Sequence, residues 1–89
     1  MRVHFTAHGL ADYLHWSRED PGTHARLNEL IEDIRRSPFK GLGKPEPLKG
    51  DLTGYWSRRV TREHRLVYAV QGKPGPDQHV VIVMCRYHY

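Results

Sequence analysis

Two stretches of this chain, Leu66-Val67-Tyr68-Ala69-Val70 and Val80-Val81-Ile82-Val83-Met84-Cys85, are apolar on both faces when laid out as strands. A strand at the margin of a sheet, or one with a wet face, alternates apolar and polar residues. Strands without that alternation belong in the middle of a covered sheet. Gly72-Lys73-Pro74-Gly75-Pro76-Asp77 supplies a turn-rich hairpin connection between the two. Tyr55 to Val60 reads as a further strand, turning at Thr61 to His64 into the first apolar run.

The front of the chain has to cover that sheet. Arg2 to Phe5 alternates Arg2 and His4 with Val3 and Phe5, the period of a short strand with one buried face. Thr6 is placed to cap a helix whose apolar stripe is Leu10, Tyr13 and Leu14, with Trp16 near the stripe's edge, reaching to about Arg18. Gly9 weakens this helix by roughly 1 kcal/mol relative to alanine. Asp20-Pro21 starts a second helix, with aspartate as cap and proline in the first turn where its missing N–H costs nothing. Leu27, Leu30, Ile31 and Ile34 recur at i, i+3, i+4 and i+7, and Pro38 stops the run. So short a link makes the two helices an antiparallel hairpin lying on the sheet. The expected fold class is α+β in the order β-α-α-β-β-β, with an antiparallel-dominated twisted sheet, the hairpin on one face and the other face partly open. Phe39 to Gly54 reads as a long Gly/Pro-punctuated loop.

At 89 residues there is room for one core, so residues 1–89 are expected to form a single domain. There is no apolar segment of about 18 residues and no signal-like N-terminus, and Cys85 is the only cysteine, so the expected location is the cytoplasm rather than a membrane. The formal charge of +4 is unevenly spread. The first 33 residues carry three Lys or Arg against six Asp or Glu, whereas the rest carry eleven against four. The basic part is where a polyanion would dock.

Within it, Gly43 to Val70 collects residues suited to chemistry on phosphate. Glu46 hangs between Pro45 and Pro47, on stiff extended chain that holds a carboxylate in place for use as a base. His88, next to the last residue, is a candidate acid because an imidazole gives up a proton near neutrality. Arg58, Arg59, Arg62 and Arg65 lie on or beside the hairpin, with Lys44 and Lys49 upstream and Arg86 near the end. Alternation along a strand points Arg59 and Ser57 one way and Arg58 and Trp56 the other, so these cations do not all serve one site. Arg65 opens a strand apolar on both sides, where burial would demand an anion. Tyr87 and Tyr89 flank His88 and are able to stack on a base or to cover the sheet. The remaining histidines form no i, i+4 pair in one helix and have no cysteine pair near them, so no metal site and no cofactor is expected.

Four segments in order, GKPEPLKG, GYWSRR, EHRLVYAV and the closing CRYHY, together with much of Leu27 to Phe39, resemble the YoeB-type toxins of the RelE superfamily. The resemblance implies a toxin of a type II toxin–antitoxin system: a ribosome-dependent endoribonuclease that cleaves mRNA in the A site by acid/base catalysis through the 2′-hydroxyl, without a metal, and so inhibits translation. It implies Glu46 as general base, His88 as general acid, Arg65 as the group stabilising the phosphorane, Lys49 and Arg59 as phosphate contacts and Tyr89 as an orienting residue. Lys44, Arg58 and Arg86 complete the expected RNA-contacting set. The implied partners are a YefM-type antitoxin, the ribosome with its 16S rRNA, mRNA and a second copy of the chain in a homodimer. The Gly72 to Gln78 connection is longer than that family leads one to expect. A binding module of the same fold that occupies RNA or the ribosome without cutting is the rival reading, and composition does not separate the two. A DNA-binding regulator fits less well, because Asp20 to Ile34 is mostly acidic outside its apolar stripe.

Overall fold

The computed structural model describes residues 1–89. The elements follow the chain as β1 (Arg2–Phe5), α1 (Ala7–Glu19), α2 (Pro21–Arg36), β2 (Glu46–Pro47), a one-turn 3-10 helix (Gly50–Leu52), β3 (Tyr55–Arg59), β4 (Arg65–Gln71) and β5 (His79–Met84). They form one sheet in the order β1-β5-β4-β3-β2, with β1 parallel to β5 and every other pair antiparallel. The two uniformly apolar runs are β4 and β5, and both lie inside the sheet as their composition requires.

Both helix caps form as the sequence indicates. Thr6 Oγ1 accepts the Gly9 N–H at 3.1 Å, and Asp20 Oδ1 accepts those of Gly22 and Thr23, each at 3.1 Å. From α2, Leu27, Leu30 and Ile34 enter the core against Leu66, Tyr68, Val80 and Ile82. The first helix turns differently from its apolar spacing. Leu10 and Leu14 remain 43% and 42% exposed, while Gly9, Asp12 and Trp16 are buried. The cause is the close approach of α1 to β5: a Cβ on Gly9 would stand 2.3 Å from the Ile82 carbonyl oxygen. Only the glycine edge of the helix fits that gap, and it carries Asp12 and Trp16 inward with it.

The Phe39–Gly54 segment is also more ordered than a plain loop. Pro47 forces Glu46 into an extended conformation, and Glu46 and Pro47 pair with Ser57 and Trp56 as the edge strand β2. Leu48 prolongs the pairing by donating its N–H to the Tyr55 carbonyl at 2.9 Å. A proline, with no N–H to offer the ladder, is tolerated at this edge and would not be in the middle of the sheet.

Candidate functional site

Cross-strand partners in an antiparallel pair project to the same side of the sheet. The register therefore sorts the candidate residues by face. Glu46 pairs with Ser57, Ser57 with Val67, and Arg59 with Arg65, which lines Glu46, Ser57, Arg59 and Arg65 along the face opposite the helices. Trp56, Arg58, Leu66 and Tyr68 alternate to the helix side. The chain's end crosses to the open face as well: the Tyr89 hydroxyl lies 3.1 Å from Ser57 Oγ, in a hydrogen bond that either oxygen is able to donate. Glu46, Arg59, Arg65 and Tyr89 thus share one surface. His88 lies just before Tyr89 and is exposed, its Nδ1 3.0 Å from the Tyr89 carbonyl oxygen.

The cations divide the same way. Every arginine that pairs with a carboxylate does so in the helix layer: Arg26 with Glu29, Arg35 with Glu32, Arg36 with Asp33, and Arg58 with Asp33. Lys44, Lys49, Arg59, Arg65 and Arg86 pair with no carboxylate. A row of cations without internal counter-ions beside an exposed carboxylate is a surface ready to receive an anion.

One expectation about the arginines is corrected by the structure. Arg58 is fully buried rather than part of an RNA-contacting surface. Its Nη1 donates to Asp33 and the Leu42 carbonyl, its Nη2 to the carbonyls of Ser37 and Lys40, and its Nε to the Tyr68 hydroxyl. With every donor direction used inside the protein, Arg58 fastens the loop after α2 and has nothing left for phosphate. Its proximity holds the Asp33 carboxyl below the usual aspartate range, and burial pushes the Tyr68 phenol up. Arg65, for its part, is half-buried at the start of its strand. Its Nη1 donates to the carbonyls of Thr61, Arg62 and His64 at 3.0, 3.3 and 3.0 Å. These bonds pin one arm of the guanidinium and leave Nε and Nη2 without a partner in the chain.

Both stretches that deliver an acid/base candidate pass through left-handed backbone. Lys44, two residues before Glu46, has φ +57°, and Tyr87, immediately before His88, has φ +68°. They are the only non-glycine residues in that region of conformational space, where residues with a Cβ persist only if their surroundings hold them. On the way to His88, Cys85 is buried and donates its N–H to Asp12 at 3.1 Å, and burial together with the charge on Asp12 pushes its thiol up to about 12. Arg86 lies over the Tyr87 ring at 4.6 Å.

Beside the Ser57–Tyr89 bridge, a cleft of about 340 Å³ is lined by Asp51, Leu52, Tyr55, Val67, Val83, Met84 and Tyr89. One aromatic wall belongs to the chain's last residue, and apolar lining of this kind suits the face of a nucleobase. A larger groove of about 570 Å³ runs between β1 and the helices but contains none of the candidate residues. Size alone does not locate the chemistry. The residues that hold the tail, Asp12, Trp16 and His64, are not among the candidates the sequence marks. Each comes from a distant part of the chain, so no local pattern marks it.

Comparison with known proteins gives a uniform result. A family model described as YoeB-like toxin of bacterial type II toxin-antitoxin system matches residues 5–89. The chain is 61% identical to Toxin YoeB of Streptomyces coelicolor over 89 residues, the whole of both chains. Among solved structures it is similar to the YoeB/ParE toxin from Agrobacterium tumefaciens, with a TM-score of 0.94, 48% identity and complete coverage of both chains. It is also similar to YoeB from Staphylococcus aureus as a dimer and to a chain of the heterotetrameric YoeB–YefM toxin–antitoxin complex. Those TM-scores are 0.87 and 0.86, each at 41% identity and covering 100% of this chain and 98% of the other.

Proposed function

This chain belongs to the YoeB-like toxins of bacterial type II toxin–antitoxin systems, and on that premise we propose that it is an endoribonuclease that cleaves mRNA in the ribosomal A site. The observation that carries the reading is the gathering of Glu46, Arg59, Arg65 and the Tyr89-anchored chain end on the sheet face opposite the two α-helices. Glu46 takes the proton from the 2′-hydroxyl, whose oxygen attacks the adjacent phosphorus. His88 gives a proton to the departing 5′-oxygen, so a 2′,3′-cyclic phosphate and a free 5′-hydroxyl result. The unpaired Nε and Nη2 of Arg65 stabilise the charge that builds on the equatorial oxygens. Lys49 and Arg59, with Lys44 and Arg86 further out, hold the flanking phosphates, and Tyr89 orients the message beside the apolar cleft. The nucleophile is internal to the substrate, so positioning and two proton transfers make up most of what the protein must supply.

The proposed partners are the ribosome, mRNA, a YefM-type antitoxin that inhibits by covering the cationic face, and a second copy of the chain. Cytoplasmic location is part of the same proposal, since its substrate is found there. No helix is long and apolar enough to cross a membrane.

The test uses ribosomes programmed with a defined message, followed by mapping of the new ends. The wild-type protein is expected to cut within the A-site codon and to spare a message whose reacting 2′-hydroxyl is replaced by hydrogen. Glu46→Ala and His88→Gln are each expected to slow cutting by about 10²- to 10⁴-fold, the range for loss of a general base or acid. If both variants cut at the wild-type rate, the catalytic assignment is wrong. If wild-type protein stalls translation and leaves the message whole, the surface is a binding module instead.

A further inference from the structure

His88 lies between two anchors. On its far side is the Tyr89–Ser57 hydrogen bond. On its near side is Tyr87, whose backbone is clamped at both ends: its N–H donates to Nδ1 of His64 at 2.7 Å, and its carbonyl accepts the Arg65 N–H at 3.0 Å. This clamp coincides with the left-handed φ of Tyr87.

The imidazole of His64 is itself fixed. The residue's N–H donates to Thr61 Oγ1 at 3.2 Å, and its carbonyl accepts from Val60 at 3.0 Å and from Thr61 at 3.4 Å. Its ring meets Trp16 edge-on, with centroids 4.7 Å apart, and lies 5.9 Å from the Tyr87 ring. Trp16 in turn donates its indole N–H to the Cys85 carbonyl at 2.9 Å. Helix α1 and the β3–β4 turn therefore both grip the tail, and His64 makes the last side-chain hydrogen bond before the proposed acid.

We propose that His64 is a positioning residue: by accepting the Tyr87 N–H at Nδ1 it holds the left-handed turn that directs His88 and Tyr89 over the open face. The assignment rests on the nuclease reading for what His88 does; the tether itself does not. An imidazole accepts at Nδ1 only when that nitrogen is bare, so the ring is neutral and carries its hydrogen on Nε2. A side chain of similar reach with an acceptor at the same place is therefore able to substitute. Asparagine has one, its Oδ1 lying where Nδ1 lies, whereas alanine has none.

The experiment compares wild-type protein with His64→Ala and His64→Asn, each also in a His88→Ala background, after checking that thermal unfolding remains cooperative. Exchange of the Tyr87 amide hydrogen reads the tether without any catalysis. It is expected to quicken about five- to tenfold in His64→Ala, the scale of one lost hydrogen bond, and to return most of the way in His64→Asn. Single-turnover cutting on programmed ribosomes reads the consequence. The maximal rate is expected to fall about 100-fold in His64→Ala, as when a catalytic group is displaced by about 1 Å, with the half-saturating concentration held within about twofold. In the His88→Ala background the same change is expected to cost nothing further, because a residue that acts through His88 has no effect once His88 is gone. Equal Tyr87 exchange in wild type and His64→Ala overturns the tether. A full loss repeated in the His88→Ala background overturns action through His88. Failure of the wild type to cut any message brings down the nuclease reading instead, and the exchange data still decide whether the tether exists.

Discussion

The guanidinium of Arg58 has no exposed surface, and its acceptors come from Asp33, Ser37, Lys40 and Leu42, with the Tyr68 hydroxyl alongside. Removing it strands a carboxylate and three carbonyls in a site water does not reach freely. Breaking a buried pair from one side costs about 3–5 kcal/mol. At roughly 4–8 °C per kcal/mol for a domain this small, Arg58→Ala is expected to lower the thermal midpoint by at least about 12 °C, measurable by calorimetry. The pair also sets an acid limb. Asp33 has a folded pKa below its ordinary 3.8, so its contribution is complete above that value and is lost as pH falls through the folded one. Asp33→Asn is accordingly expected to be less stable than wild type at neutral pH and to show a smaller further loss below about pH 4. Arg58 and its neighbour Arg59 look alike in the sequence. Strand alternation separates them onto opposite faces, but nothing local says which face receives the helices. That is settled by Asp33, 25 residues away, and a contact of such reach leaves no trace in a pattern of period two.

Elements with strong periodicity were legible and those set by a single contact were not. The heptad-like spacing of Leu27, Leu30 and Ile34 and the uniform apolarity of β4 and β5 each reflect burial along a whole element. The rotation of α1 reflects one point, Gly9 against the Ile82 carbonyl, and it overrides the Leu10 and Leu14 stripe that the sequence offers. Strand β2 was missed for a related reason, because two residues are too few for a pattern and only the prolines around Glu46 hint at extended chain. The importance of the α1 contact is open to measurement. Alanine raises helix propensity by about 1 kcal/mol over glycine, yet at position 9 its methyl would overlap backbone that has little freedom to move. Overpacking of that kind costs about 1–3 kcal/mol and in close quarters more. Gly9→Ala is expected to lower the thermal midpoint, while Ala11→Gly on the exposed side of the same helix loses only the propensity term. If Gly9→Ala melts at or above the wild-type temperature, α1 does not pack as closely as described.

On the scale of the whole molecule, the imbalance of charge along the chain becomes an imbalance between layers. The acidic first third supplies both helices, where the arginine–carboxylate pairs are found. The basic remainder builds four of the sheet's five strands, and the open face of that sheet carries Arg59 and Arg65 without carboxylate partners. On the proposed reading, RNA binding to this surface releases counter-ions, and affinity then falls with salt in proportion to the phosphates neutralised, by about 0.7 in the log–log slope for each contact to a single strand. The layer description then distinguishes arginines of equal charge. Arg59, exposed on the open face, is expected to account for about one such increment, and Arg18, exposed at the end of α1, for none. The measurement is equilibrium binding to ribosomes carrying a message with its reacting 2′-hydroxyl replaced, between about 50 and 200 mM salt, for wild type, Arg59→Ala and Arg18→Ala. If the two variants shift the slope equally, the message is not lying across the sheet face. If only Arg18→Ala shifts it, RNA approaches the helix layer, and the proton donors and acceptors on the opposite side are out of its reach.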